Sequence, residues 1–151
     1  VRPASVVPLS ERSMNVNEAI RELIQPYQLC ALATIAEDKR PWVRYVMMAG
    51  SDDLTIYVTT FFRSRKVAQI RDNPEVHLTC GVSSLEHAKA YLQIEAQAEI
   101  STDPELKRAQ WRDLHAQYFS GPDDENFCVL VIKPTRIEYY EMGAAEPTVF
   151  A

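Results

Sequence analysis

The chain has 151 residues, of which 46% are hydrophobic and 25% are charged, a composition typical of one soluble globular domain with a sizeable core. Its formal net charge of -5 argues against a general nucleic-acid-binding protein, which normally presents a basic face. No apolar run approaches the roughly 20 residues that a membrane-spanning helix needs, so neither a nucleic acid nor a membrane is expected as a partner.

Residues 1–13 lack the long apolar segment of a secretion signal and are predicted to form a flexible lead-in. Asn15 is predicted to cap the first helix, with Glu18 three residues later completing a capping box. Apolar residues then recur at helical spacing until Pro26 ends the helix. We therefore expect one domain over residues 14–142, followed by a C-terminal tail of residues 143–151.

Three cysteines, Cys30, Cys80 and Cys128, are widely spaced, and each lies within an apolar run. An odd number without a C-x-x-C pattern is typical of reduced core thiols rather than of disulfides or a zinc site. The three histidines also lack the spacing of metal ligands. A cytoplasmic protein without a bound metal is therefore predicted.

Three strands of an antiparallel meander are predicted next, over residues 29–36, 41–48 and 54–58. Arg44 lies in the middle of the second, among apolar residues, where a charge is costly unless it is paired or binds an anion. It could lie in solvent on an edge strand. Alternatively, it could reach a phosphate held near the end of the next strand, because arginine suits the forked recognition of phosphate.

The third strand leads through Thr59 and Thr60 to a short predicted helix that begins at Ser64, with Arg65 and Lys66 in its first turn. A helix N-terminus presents free backbone N–H groups and the positive end of the helix dipole. With a hydroxyl, a guanidinium and an ammonium group beside it, this corner (residues 59–66) would suit an anion, most obviously a phosphate. The alternative is that Ser64 only caps the helix and that the basic side chains are solvated.

Further strands are predicted over residues 75–82, 89–100, 127–133 and 136–141, with Pro134 separating the last two and a helix opening at Asp103. This order lacks the regular β-α alternation of a doubly wound sheet. No Gly-rich nucleotide loop and no Ser-His-Asp or Cys-His arrangement is found. The predicted fold class is mainly β with flanking helices, a closed or split barrel of six to seven mostly antiparallel strands.

Several short motifs in a defined order connect the chain with a known family. They are Leu32–Thr34, Arg44–Met47, Thr59-Thr60 with Ser64–Val67 and Asn73-Pro74, and then Trp111, Tyr118-Phe119, Gly121–Asp124 and Ile137–Tyr140. On these motifs, over about residues 19–140, the chain resembles the FMN-binding split barrels related to pyridoxamine 5'-phosphate oxidase. More narrowly, it resembles their general stress protein branch, in which the position of Tyr140 is usually tryptophan.

This resemblance implies that FMN is held non-covalently at the interface of a homodimer. The residues it places around the 5'-phosphate are Arg44, Ser64, Arg65 and Lys66. The residues it places along the isoalloxazine ring are Tyr45, Val46 and Met47, with Thr59 and Thr60 bordering the flavin. The protein would position the cofactor and tune its ring, while the flavin carries the redox chemistry.

Two departures from the oxidase pattern bear on activity. Ala49 stands where the true oxidase has a lysine that holds the substrate phosphate, and the tail after Tyr140 lacks the oxidase's basic and aromatic C-terminal segment. The resemblance therefore implies an FMN-dependent oxidoreductase or flavin reductase of unknown substrate, with a stress-related role, and not a pyridoxamine phosphate oxidase.

Two alternatives remain open. One is a non-catalytic flavin carrier or redox sensor, since no side chain stands out as a general acid or base. The other is a barrel that binds haem or a deazaflavin. Haem is disfavoured because no histidine lies between Arg44 and Lys66.

Overall fold

The computed structural model describes the backbone over residues 9–150 and the side chains over residues 16–150. The helices of this range are α1 (Leu9–Ile24), α2 (Arg65–Asp72) and α3 (Pro104–Gln110), with a 3₁₀ helix over Asp113–Gln117. The strands are β1 (Gln28–Ile35), β2 (Pro41–Gly50), β3 (Ile56–Phe61), β4 (Glu75–Cys80), β5 (Ala90–Ser101), β6 (Phe127–Glu141) and β7 (Thr148–Phe150). No helix in the described range is both long enough and apolar enough to cross a membrane.

The strands form an antiparallel barrel. They are ordered β3-β2-β1-β4-β5-β6-β7, and an additional pairing of β3 with β6 closes the first six into a ring. β7 lies outside the ring, paired with β6. The prediction of a split barrel of six to seven antiparallel strands is therefore confirmed.

Alternating side chains of the strands fill the barrel interior. In β5, Leu92, Ile94 and Ala96 are fully buried while the residues between them are less buried or exposed, as the period-two pattern of the sequence predicts. α1 and α2 add apolar side chains, including Ile24 and Val67, to the same core cluster. Each fully buried aliphatic side chain of this kind stabilises the fold by roughly 1.5–3 kcal/mol.

The last two predicted strands are a single strand, β6. Its register with β5 shifts where Glu95 pairs with Arg136 and Ala96 pairs with Pro134, which leaves Thr135 as the extra residue of a β-bulge. Thr135 Oγ1 donates a hydrogen bond to the Glu95 carbonyl oxygen at 3.2 Å. The predicted break at Pro134 was wrong, because a bulge accommodates a residue without an N–H group while the strand continues.

The predicted start of the first helix was also wrong. α1 begins at Leu9, so residues 9–13 of the predicted lead-in are helical and Asn15 lies within the helix. Several residues near the N-terminus favour a helix start, and such residues also occur inside helices. The local sequence pattern therefore could not identify the residue at which α1 begins. The side chain of Asn15 and residues 1–8 lie outside the described parts. The predicted tail contains β7.

Candidate functional site

β2 and β3 pair over only part of their lengths. Their register joins Met48–Gly50 to Ile56–Val58, although β2 begins at Pro41 and β3 continues to Phe61. Within residues 9–150, residues 41–47 of β2 pair with β1 on one side and with no strand on the other. Backbone N–H and C=O groups along this opening, which we call the seam, need other hydrogen-bond partners.

The predicted ring-binding residues lie along β2 beside the seam. Tyr45 and Met47 alternate with buried residues and lie on the outer face, where Tyr45 is 78% exposed. Val46 faces inward and packs in the core cluster. Its side chain therefore cannot contact a ligand bound in the seam, and only its backbone borders the seam.

Arg44 does not lie in solvent. Its Nη1 donates to Thr34 Oγ1 at 2.6 Å and to the carbonyl oxygens of Leu32 and Trp42 at 3.3 and 3.1 Å. Its Nη2 donates to Gln69 Oε1 at 3.1 Å. Thr34 and Gln69 are both buried and are hydrogen-bonded to each other at 2.5 Å. Neutral acceptors from β1, β2 and α2 thus hold the guanidinium, so the solvent alternative was wrong.

The helix-cap interpretation of Ser64 is not supported. Ser64 is the N-cap residue of α2, with extended backbone angles, but its side chain makes no capping hydrogen bond. Its Oγ is buried and has no hydrogen-bond partner among the described residues. A buried hydroxyl without a partner costs about 1–3 kcal/mol. The orphaned atom is therefore a candidate ligand contact at the start of α2.

Three cations converge on the same corner: Arg44, Arg65 and Lys66. The Arg65 guanidinium lies over the Trp42 ring, 4.4 Å from its centroid, and Lys66 Nζ donates to Thr60 Oγ1 at 2.7 Å. None of the ion pairs found over residues 16–150 includes any of the three cations.

Burial and mutual repulsion shift the pKa values of two of these cations. Burial lowers the pKa of Arg44, and the charge of Arg65 lowers it further. The pKa of Lys66 is also lowered, first by burial and then by the charge of Arg44. Like charges that repel one another in a partly desolvated place favour a bound anion. The three cations and the Ser64 hydroxyl together therefore form a candidate anion site.

Thr59 and Thr60 lie within β3, and their side chains are on opposite faces. Thr60 is buried and contacts Lys66, whereas Thr59 is half-buried on the outer face, with Oγ1 3.0 Å from His115 Nε2. His115 belongs to the 3₁₀ helix and was not predicted as a site residue. The only sequence signal for it was its position between Trp111 and Tyr118-Phe119, because a contact over 56 residues leaves no local pattern.

The barrel, its open seam and the three clustered cations at the adjoining corner define a split-barrel protein with a candidate anion site. The family described as pyridoxamine 5'-phosphate oxidase matches residues 16–141, and the chain belongs to this family.

Individual relatives agree with this assignment. General stress protein 26 of Bacillus subtilis is 30% identical over 133 residues, which are 88% of this chain and 94% of that protein. The crystal structure of General Stress Protein 26 from Bacillus anthracis has a TM-score of 0.78 at 28% identity, covering 91% of this chain and 98% of that one. An FMN-binding protein from Nostoc punctiforme related to pyridoxamine 5'-phosphate oxidase shares the fold, with a TM-score of 0.68 at 17% identity and coverage of 96% and 90%.

Proposed function

We propose that this protein binds FMN, with the phosphate at the start of α2 and the isoalloxazine ring along the seam. The observation that carries the proposal is the buried, unpartnered Ser64 hydroxyl beside three cations that have no carboxylate partner among the described residues. A phosphate accepts charge-assisted hydrogen bonds from all of these groups. The description of the Nostoc punctiforme protein as FMN-binding supports the same ligand.

Each group at the site has a role in this proposal. The residues that would hold the phosphate are Arg44, Ser64, Arg65 and Lys66. The ring would lie against the outer face at Tyr45 and Met47, with backbone groups of β2 meeting its polar edge and with Thr59 at its border. Thr60, whose side chain is on the opposite face, would instead hold Lys66 beside the phosphate. When bound, FMN supplies reversible hydride or electron transfer, and the protein supplies position and electrostatics.

Gln69→Glu is expected to weaken FMN binding about 10-fold. Gln69 Oε1 is 3.1 Å from Arg44 Nη2, so a carboxylate there would pair with Arg44 and compete with the phosphate for its charge. Titration of the apoprotein with FMN, followed by flavin fluorescence, measures the change. Thr148→Glu adds the same charge at an exposed position on β7 and should leave the affinity unchanged. Equal weakening in both variants would contradict the role given to Arg44.

We also propose that the functional unit is a homodimer. The outer face of β1 and β2 exposes Leu29, Val43 and Tyr45, with exposed fractions of 61%, 68% and 78%. The strand register places Tyr45 opposite Ala31 and Met47 opposite Leu29, so these side chains form one apolar surface beside the seam. Contiguous exposed apolar surface of this kind marks interaction sites, and a second copy would cover it together with the bound ring.

Tyr45→Asp is expected to convert the dimer to a monomer at micromolar concentration, because it places a charge inside the proposed interface. Sedimentation velocity measures the oligomeric state. Leu85→Asp is the matched control, since Leu85 is 87% exposed in the loop between β4 and β5, and this variant should remain dimeric. A wild-type protein that sediments as a monomer would contradict the proposal.

For activity, we propose an FMN-dependent oxidoreductase or flavin reductase rather than a pyridoxamine phosphate oxidase. Ala49 pairs with Tyr57 across β2 and β3 and offers no charge to a substrate phosphate. Haem is not supported, because His115 beside Thr59 uses both ring nitrogens in hydrogen bonds within the protein. A non-catalytic flavin carrier or redox sensor is the second candidate, favoured because residues 59–66 contain no aspartate, glutamate or histidine that could act as a general acid or base.

Anaerobic mixing of the FMN-loaded protein with NADH or NADPH separates these two candidates. Bleaching of the flavin absorbance within the time of a catalytic turnover supports a reductase. No bleaching over many minutes supports the carrier. Free FMN at the same concentration is the control for uncatalysed reduction.

We propose a cytoplasmic location on the basis of the cysteines. Cys30, Cys80 and Cys128 are all free and buried. Burial raises the pKa of Cys30 and of Cys80 to about 12 and that of Cys128 to about 11. Such thiols are packed as core residues and are protonated at neutral pH, as in a protein of a reducing compartment.

A further inference from the structure

A buried histidine holds Thr59 from the outer side of β3. His115 is 5% exposed, and its Nε2 lies 3.0 Å from Thr59 Oγ1. Aromatic rings surround the imidazole: the ring centroids of Trp111, Phe119 and Phe127 lie 5.4, 6.5 and 5.4 Å from that of His115. This packing fixes the ring plane, so the contact with Thr59 is a defined one.

The direction of that hydrogen bond follows from the other ring nitrogen. The backbone N–H of Arg112 donates to His115 Nδ1 at 2.9 Å, so Nδ1 carries a lone pair and no proton. A neutral imidazole with an unprotonated Nδ1 has its hydrogen on Nε2. Burial, and then the charge of Arg112, lower the pKa of His115, which favours this neutral form. Nε2–H therefore donates to Thr59 Oγ1.

Because His115 Nε2–H donates to Thr59 Oγ1, this contact does not use the hydrogen of the Thr59 hydroxyl. A hydroxyl has one hydrogen to donate and two lone pairs that accept. The contact with His115 is the one side-chain hydrogen bond of Thr59 found over residues 16–150, and no acceptor for its O–H is among them. Thr59 follows Val58, the last residue of β3 that pairs with β2, so its hydroxyl lies at the border of the seam.

We infer that His115 is a positioning residue that fixes the Thr59 hydroxyl as a hydrogen-bond donor to an acceptor on the polar edge of the bound flavin ring. This inference rests on the proposed FMN site. Reduction adds negative charge to the flavin ring, and a donor at a ring carbonyl or nitrogen stabilises that charge. His115 thus sets the reduction potential of the bound flavin through Thr59, without touching the flavin itself.

The test compares Thr59→Val, His115→Phe and the double variant. Loss of one neutral hydrogen bond is expected to weaken FMN binding by about 2- to 10-fold, to lower the reduction potential of the bound flavin and to shift its absorption spectrum. The double variant should be no worse than either single variant, because both remove the same interaction. Thr59→Ser keeps the hydroxyl and His115→Gln keeps a side-chain N–H donor, so both should restore the wild-type spectrum.

The apoprotein gives a second readout. Nitrogen-15 chemical shifts of His115 should show a protonated Nε2 and an unprotonated Nδ1 at pH 7. The Thr59 variants keep the test decisive if His115→Phe does not fold. A Thr59→Val protein with wild-type FMN affinity, spectrum and potential would overturn this inference alone, as would additive effects in the double variant. A wild-type protein that binds no FMN would overturn the proposed function and this inference with it.

Discussion

Simultaneous replacement of Arg65 and Lys66 by alanine is expected to weaken FMN binding by about 10²- to 10⁴-fold. Each charged hydrogen bond to a phosphate contributes about 1.5–3 kcal/mol, and about 1.4 kcal/mol corresponds to a factor of ten in affinity. Arg65 is exposed and is held by Trp42, whereas Lys66 is half-buried and bonded to Thr60. Most of the loss should therefore come from Lys66. Fluorescence titration of the apoprotein with FMN measures it.

The matched control is Lys133→Ala with Arg136→Ala. It removes the same charge from two exposed positions on β6 and should leave FMN affinity within about twofold of wild type, because exposed charges away from a site are screened. Unchanged affinity in the Arg65 and Lys66 variant would show that the phosphate binds elsewhere. Thermal unfolding should show both variants to be folded. Removing Arg65 and Lys66 relieves their repulsion with Arg44, and the partly exposed Arg136–Glu138 ion pair lost in the control contributes little to stability.

Gly50→Ala is expected to lower the free energy of unfolding by about 1–3 kcal/mol, through overpacking against the end of α1. A Cβ atom at Gly50 would contact Ile24 Cγ2 and would lie 2.6 Å from the Ile24 carbonyl oxygen. Ile24 is fully buried, so neither the side chain nor the backbone can move away without disturbing the core. Urea unfolding followed by tryptophan fluorescence measures the change.

Gly121→Ala provides the comparison for Gly50→Ala. A Cβ atom at Gly121 meets no atom within 4 Å, and surface substitutions of this kind usually change stability by no more than about 0.5 kcal/mol. Equal stability losses in the two variants would show that the close approach of α1 to β2 is not what requires glycine at position 50.

The fold class could be predicted because most strands carry their signal locally. In β5, apolar residues alternate with polar ones over 12 residues. This alternation follows from strand geometry, because successive side chains point to opposite faces of the sheet. The continuity of β6 was harder to predict. Pro134 is a local sign that a strand is interrupted, whereas its place beside a bulge depends on the register with β5. Register is a property of two distant segments, and a single segment does not specify it.

The same distinction applies to the corner. Its hydroxyl, guanidinium and ammonium groups are adjacent in sequence, so a candidate anion site could be predicted there. The choice between an anion site and a helix cap depended on geometry, namely a Ser64 hydroxyl without a hydrogen-bond partner over residues 16–150. The partners of Arg44 could not be predicted either, because Thr34 and Gln69 are 10 and 25 residues away. His115 was not predicted for the same reason, because its contact with Thr59 spans 56 residues.

Titration of the apoprotein with FMN and with riboflavin tests the central claim most directly. The two ligands share the isoalloxazine ring and differ by the 5'-phosphate, so their affinity ratio isolates the anion site at the start of α2. We expect one FMN per chain, bound at least about 100-fold more tightly than riboflavin. Equal affinity for the two flavins, or no binding of FMN, would contradict it.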